Sequence, residues 1–228
     1  MTKVDIQQKC KLTDLGNAER LVRQHGENIR YCSAWRKWLG WEGSHWKIND
    51  TGQVERMAKE TVRTIYTETS SANSTDEREA IAKWAVSSES EFRIRNMITM
   101  AETEPGIPVT PDQLDRDPWL LNTPTGTVHL RTGQVREHRP EDLITKLTIA
   151  PYVENYDDCD LWKDHLNRIM SGNEKLIRFL QRYIGYCLTG VTTERDMVFA
   201  WGEGANGKTV THETIKAMLG DLCSPNTC

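Results

Sequence analysis

Residues 202–209 read Gly202-Glu203-Gly204-Ala205-Asn206-Gly207-Lys208-Thr209 and fit G-x-x-x-x-G-K-S/T at every fixed position. The octapeptide constrains local structure strongly, because it works only between a strand and a helix. Met197-Val198-Phe199-Ala200-Trp201 is a short apolar run that reads as a buried strand. Val210, Ile215, Met218 and Leu219 follow at roughly helical spacing, and Gly220 is placed to end that helix. Gly202, Gly204 and Gly207 let the backbone turn tightly, so that its N–H groups point inward. The positive end of the helix dipole adds to an anion site there. In such a loop Lys208 reaches the β- and γ-phosphates of ATP, and the Thr209 hydroxyl ligates Mg²⁺.

The rest of the composition is that of a globular protein. The chain has 228 residues, 37% hydrophobic and 27% charged, enough for one large or two small domains. A net charge of -4 gives no whole-chain attraction to nucleic acid, leaving that role to a local basic patch. Eight tryptophans imply a substantial core. The polar N-terminus is no signal peptide, and no apolar run approaches the ~20 residues of a membrane span. Cys10, Cys32, Cys159, Cys187, Cys223 and Cys228 form no C-x-x-C pair, which argues against a zinc ribbon or finger. Cys32 in a strand and Cys187 in a helix are expected as small core residues, in a cytoplasmic protein with reduced thiols.

Hydrophobic spacing predicts a helix capped by Asp14, carrying Leu15, Ala18, Leu21, Val22 and His25 on one side and ended by Gly26. Strands follow at 29–33, 35–41 and 45–48. Three helices come next, marked by Val54, Met57, Ala58, Val62 and Ile65; by Ile81, Trp84 and Ala85; and by Ile94, Met97, Ile98 and Ala101. Residues 105–118 form a proline-bearing connector. A hairpin is expected around Arg131-Thr132-Gly133, with a further strand from Leu143 to Ile149. Two more helices precede the loop, the second capped by Asn173. The implied fold is mixed α+β with small antiparallel sheets, followed by a truncated P-loop βα unit. Its divisions are 1–104, 105–190 and 191–228.

Other constellations are weaker. Trp35, Trp38, Trp41 and Trp46, beside Arg36 and Lys37, suit either a base-stacking platform or a sheet packing its aromatics on helices. Alternation puts Trp35 and Trp41 on one face and Trp38 on the other. Asp158-Cys159-Asp160 precedes a helix, where acids complement the dipole better than they suggest a metal site. No histidine pair has ligand spacing.

Asn206 directly before Gly207-Lys208, with Leu219-Gly220-Asp221 beyond, resembles the Walker A region of superfamily-three helicases. The resemblance is closest to the primase–helicases of phages, plasmids and prophages. Residues 13–21, the Trp-Leu-Gly-Trp-Glu-Gly stretch within 35–46, Leu121-Asn122-Thr123, Gly126-Thr127-Val128 and Thr132-Gly133 resemble the domain that precedes the helicase in that family. The resemblance implies hexameric, ATP-driven unwinding of DNA. It also implies that the Walker B acids, sensor and arginine finger lie beyond this sequence, since nineteen residues follow Thr209. The expectation is a mobile-element replication protein that holds MgATP through residues 202–209 and is inactive by itself. A second reading is a non-enzymatic module touching DNA or replication subunits through Arg20, Arg23, Arg36 and Lys37. An unrelated small kinase is disfavoured, because such kinases carry the loop near the N-terminus.

Overall fold

The computed structural model describes residues 9–154, 159–194, 197–202, 204 and 206–223. It is an α+β protein of seven α-helices with small sheets among the described residues. The chain divides into two compact units: residues up to Glu42 with Trp46–Leu114, and Gly43–His45 with Asp115 onward.

The first unit begins with α1 (Asp14–His25). Thr13, one residue before the expected Asp14, caps it, its side chain accepting from the Gly16 N–H at 3.0 Å. Asp14 reaches α4 (Glu91–Ala101) instead, accepting from Arg93 at 2.7 Å and Asn96 at 2.9 Å. Strands β1 (Ile29–Cys32), β2 (Lys37–Trp41) and β3 (Trp46–Ile48) form an antiparallel meander. β4 (Pro108–Val109) joins the far side of β1 in parallel, giving the order β3-β2-β1-β4. Between them lie α2 (Gln53–Ile65), α3 (Thr75–Ser88) and α4.

Ala18 and Leu21 of α1, Val54, Ala58 and Val62 of α2, Met97 and Ala101 of α4, Ile29 and Ile107 form one buried cluster. Each large side chain buried this way contributes about 1.5–3 kcal/mol. The i, i+3, i+4 series read in α2 is the face that enters this core. Leu15, expected beside Leu21, is half-exposed instead.

The tryptophans divide differently from the alternation expected. Ser33–Arg36 is a turn with Arg36 at φ 53, so Trp35 precedes the strand and shares no face with Trp41. Trp46 is buried; Trp38 packs on Tyr31 at 5.1 Å between ring centres, and Trp41 on Trp46 at 5.5 Å. The aromatics are therefore mainly core, with Trp35 left 37% exposed.

The second unit holds the meander β5 (Leu120–Thr123), β6 (Gly126–His129) and β7 (Gln134–Arg136). The β6–β7 pair is the hairpin read around Arg131-Thr132-Gly133. Gly126 sits at φ 148, and a Cβ there would lie 2.5 Å from the Arg136 carbonyl oxygen, so the turn from β5 admits glycine alone. The strand expected from Leu143 to Ile149 does not form. Leu143 takes φ 52, and the segment's bonds scatter: Leu143 O accepts from Asp115 N, Thr148 N donates to Asn122 O, and Ile149 N donates to Met218 O. Bonds to such scattered partners make no ladder.

Helices α5 (Asp160–Ile169), α6 (Glu174–Cys187, capped by Asn173) and α7 (Lys208–Leu219) complete the unit. Cys32 is buried as expected but Cys187 is exposed, because α6 buries none of its residues among those described. Residues 197–201 form no strand, and Phe199 and Trp201 are exposed: no described strand pairs with this run, and a lone strand cannot satisfy its own N–H and C=O groups. No described helix is long and apolar enough to cross a membrane.

Candidate functional site

The glycine loop is delivered by the start of α7. Gly207 is its N-cap at φ 82, ψ 1, a left-handed conformation in which a side chain is strained. A Cβ there would also lie 2.6 Å from Ile169 Cγ2 and 3.0 Å from His165 Cε1 of α5. Both backbone freedom and close approach therefore demand glycine.

Lys208 is the first residue of α7 and is half-buried. Its Nζ donates to the Gly202 carbonyl at 2.7 Å and to Asn206 Oδ1 at 2.9 Å. The two ends of the loop are thus drawn around one ammonium. Thr209 is exposed in the first helical turn. Gly204 is exposed, with open space where a Cβ would stand. Glu203 and Ala205 lie outside the described residues.

α1, α3, α4 and α6 each have a side chain bonded to their N-terminal N–H groups, from Thr13, Ser74, Ser90 and Asn173. α7 has no such cap and no acid in its first turn. Its partial positive charge is left for an anion. α2 and α5 also lack side-chain caps, but each carries an acid in the first turn. These residues suit a phosphate group and its metal: one cation, an uncapped helix start and a hydroxyl within one turn.

α5 braces the loop, which the sequence did not reveal. Thr211 Oγ1 donates to Gly207 O at 3.0 Å, and His165 Nε2 lies 3.0 Å from the same hydroxyl. A threonine hydroxyl has one hydrogen, so with it committed to Gly207 the His165 Nε2 carries the proton and donates. Trp162 stacks on His165, 5.5 Å between ring centres at 23°. Beside them opens a cleft of about 600 Å³ between α5 and α7, with Val210 and Thr214 on its α7 side. The only sequence signal was Trp162 and His165 one turn apart, and nothing in it joined them to the loop.

The cations proposed for a nucleic-acid surface separate. Arg20 is 2% exposed and bonded to both carboxylate oxygens of Glu68 at 2.7 Å, which removes it from any such surface. Lys37 is exposed, next to the Trp35–Arg36 turn. Asp160 opens α5, Cys159 caps it without a side-chain bond, and Asp158 lies outside the described residues. Among the described residues no three His, Cys, Asp or Glu are grouped to hold a metal ion.

The architecture is α+β: one unit has a packed helical core with a small mixed sheet, and the other has a three-stranded meander with helices. Residues 18–171 match the family described as D5 N terminal like, and the chain belongs to that family of phage and viral primase–helicases. The match stops short of the glycine loop. A protein of Acanthamoeba polyphaga mimivirus, named as a putative helicase, is 30% identical over 115 residues. That alignment covers 49% of this chain and 12% of the mimivirus protein, so the chain spans a small fraction of its relative's length.

Proposed function

We propose that this chain is part of an ATP-dependent DNA helicase–primase, and that residues 202–209 hold the triphosphate of ATP while Thr209 ligates its Mg²⁺. The observation that carries the reading is the Lys208 ammonium, held between Gly202 O and Asn206 Oδ1 at the uncapped start of α7. An anion entering there meets a cation already in place and the positive end of a helix that has no side-chain cap. The helicase name of the mimivirus relative supports DNA as the macromolecular partner; self-association into a ring belongs to the same proposal. Titrating the 228-residue protein with MgATP by calorimetry tests the reading. Lys208→Ala should weaken binding at least tenfold, since a charge-assisted contact to phosphate is worth about 1.5–3 kcal/mol. Equal affinity in both proteins rules out this site.

A second reading is a non-enzymatic DNA- or replisome-binding module. It is favoured by the exposed Trp35 beside Arg36 and Lys37 at the β1–β2 turn. Here single-stranded DNA binding, followed by fluorescence anisotropy, should fall with Trp35→Ala and persist in Lys208→Ala.

A further inference from the structure

We propose that the cleft between α5 and α7 receives the base of the nucleotide whose phosphates the 202–209 loop holds, with Trp162 as its stacking surface. The inference rests on the phosphate-loop reading and extends it to the nucleoside. Lys208 sets where the phosphates would lie. Its ammonium stands between Gly202 O and Asn206 Oδ1, and from there it would reach the β- and γ-phosphates. The chain runs on from the loop directly into the first turn of α7, which offers the α-phosphate and nucleoside a path toward the cleft.

Val210, the residue after Thr209, lines the cleft, and Thr214 continues its wall one turn on. The opposite wall is α5, whose Ile169 and His165 leave no room for a side chain at Gly207 and whose His165 is hydrogen-bonded to Thr211. Loop and cleft therefore share α7 and belong to one unit.

The lining suits a heterocycle. The cleft's volume, about 600 Å³, is within the range of small-molecule sites. Trp162 presents an indole already stacked on the His165 ring, and Leu161 and Val210 supply apolar wall. Asp164 and Arg168 add an acceptor and a donor for the polar edge of a base. His165 serves both halves: it braces Gly207 through Thr211 and backs the indole that would stack. It is a positioning residue in this arrangement.

The experiment compares two probes, MgATP and magnesium tripolyphosphate, against the full 228-residue protein by calorimetry. The wild-type protein should bind MgATP at least tenfold tighter than tripolyphosphate. Trp162→Ala should weaken MgATP about tenfold and leave tripolyphosphate unchanged, as expected for loss of one base–aromatic stack. Val210→Trp, at a 57% exposed position that tolerates bulk, should block the cleft with the same result. It also covers the case in which Trp162→Ala does not fold. Quenching of tryptophan fluorescence by MgATP, absent with tripolyphosphate and lost in Trp162→Ala, is a readout that a merely structural role would not give. If both probes bind equally and depend on Lys208, the loop reading stands and the cleft proposal falls. If neither probe binds, or Lys208→Ala changes nothing, the loop reading falls and takes the cleft with it.

Discussion

Arg20 makes five hydrogen bonds inside the first unit. It donates to both oxygens of Glu68, to the carbonyls of Lys11 at 2.8 Å and Cys10 at 3.1 Å, and to Asn17 Oδ1 at 3.4 Å. Asn17 in turn accepts from Trp84 Nε1 at 3.0 Å and donates to Ser88 Oγ at 3.1 Å. One buried polar chain thus ties α1 to α3 and to the turn after α2. Removing a partner leaves buried groups unsatisfied, so Arg20→Ala should lower unfolding free energy by about 3–5 kcal/mol in a denaturant titration. An exposed DNA contact would have left stability nearly unchanged. At Gly207 the expectation is different in kind. Gly207→Ala forces a side chain into φ 82 and against Ile169, so the first turn of α7 should loosen. Faster hydrogen exchange at the Thr211 amide, which donates to Gly207 O at 3.0 Å, is the signal to measure.

Among elements, α7 is tied down at its far end. Met218 O accepts from Ile149 N at 3.2 Å and from Ala150 N at 3.1 Å, while Asp221 N donates to Leu147 O at 3.4 Å. Leu219 is buried. A protein shortened to residues 1–190 should remain folded, since the β5–β6–β7 ladders and the first unit's core lie before that point. The Ile149 and Ala150 amides should then exchange faster than in the full chain. Unchanged protection would mean that α7 does not dock there. These bonds also show where sequence reading stops. Helices α1, α2 and α4 were legible because Leu21, Val54, Ala58 and Met97 fall on helical faces that enter one core, and α3 because Ile81 and Ala85 pack in a second cluster with Ile65. Residues 143–149 carry an equally apolar pattern, but Leu143 adopts positive φ and the segment's partners lie far away in sequence, which periodicity cannot register. The loop residues were legible as a motif. The α5 brace was not, because His165 matters only through its distance to Gly207 and Thr211.

For the whole molecule, acid should be destabilising through one histidine in each unit. Burial holds His25 below the ordinary imidazole pKa, against the opposing charge of Glu60, and its Nε2 is buried without a hydrogen-bond partner. Burial likewise depresses His138, helped by His45 and Arg136 and opposed by Asp142. Both are neutral in the fold and bind protons more readily once unfolded. Their contribution is therefore complete above an ordinary histidine pKa of about 6.5 and is lost as pH falls below it. The midpoint of thermal unfolding should drop between pH 7 and 5, and His25→Gln with His138→Gln should flatten that slope. The parallel pairing of Tyr31–Cys32 with Pro108–Val109 has a consequence for synthesis. Tyr31 N donates to Ile107 O at 2.9 Å, so the edge of β1 is closed only by residues made after α2, α3 and α4. Pairing across so long a loop is slow to form. On the ribosome the β1–β2–β3 meander would emerge early and wait with one open edge, so the first unit should become protease-resistant in a single late step, when residues 107–109 clear the exit tunnel.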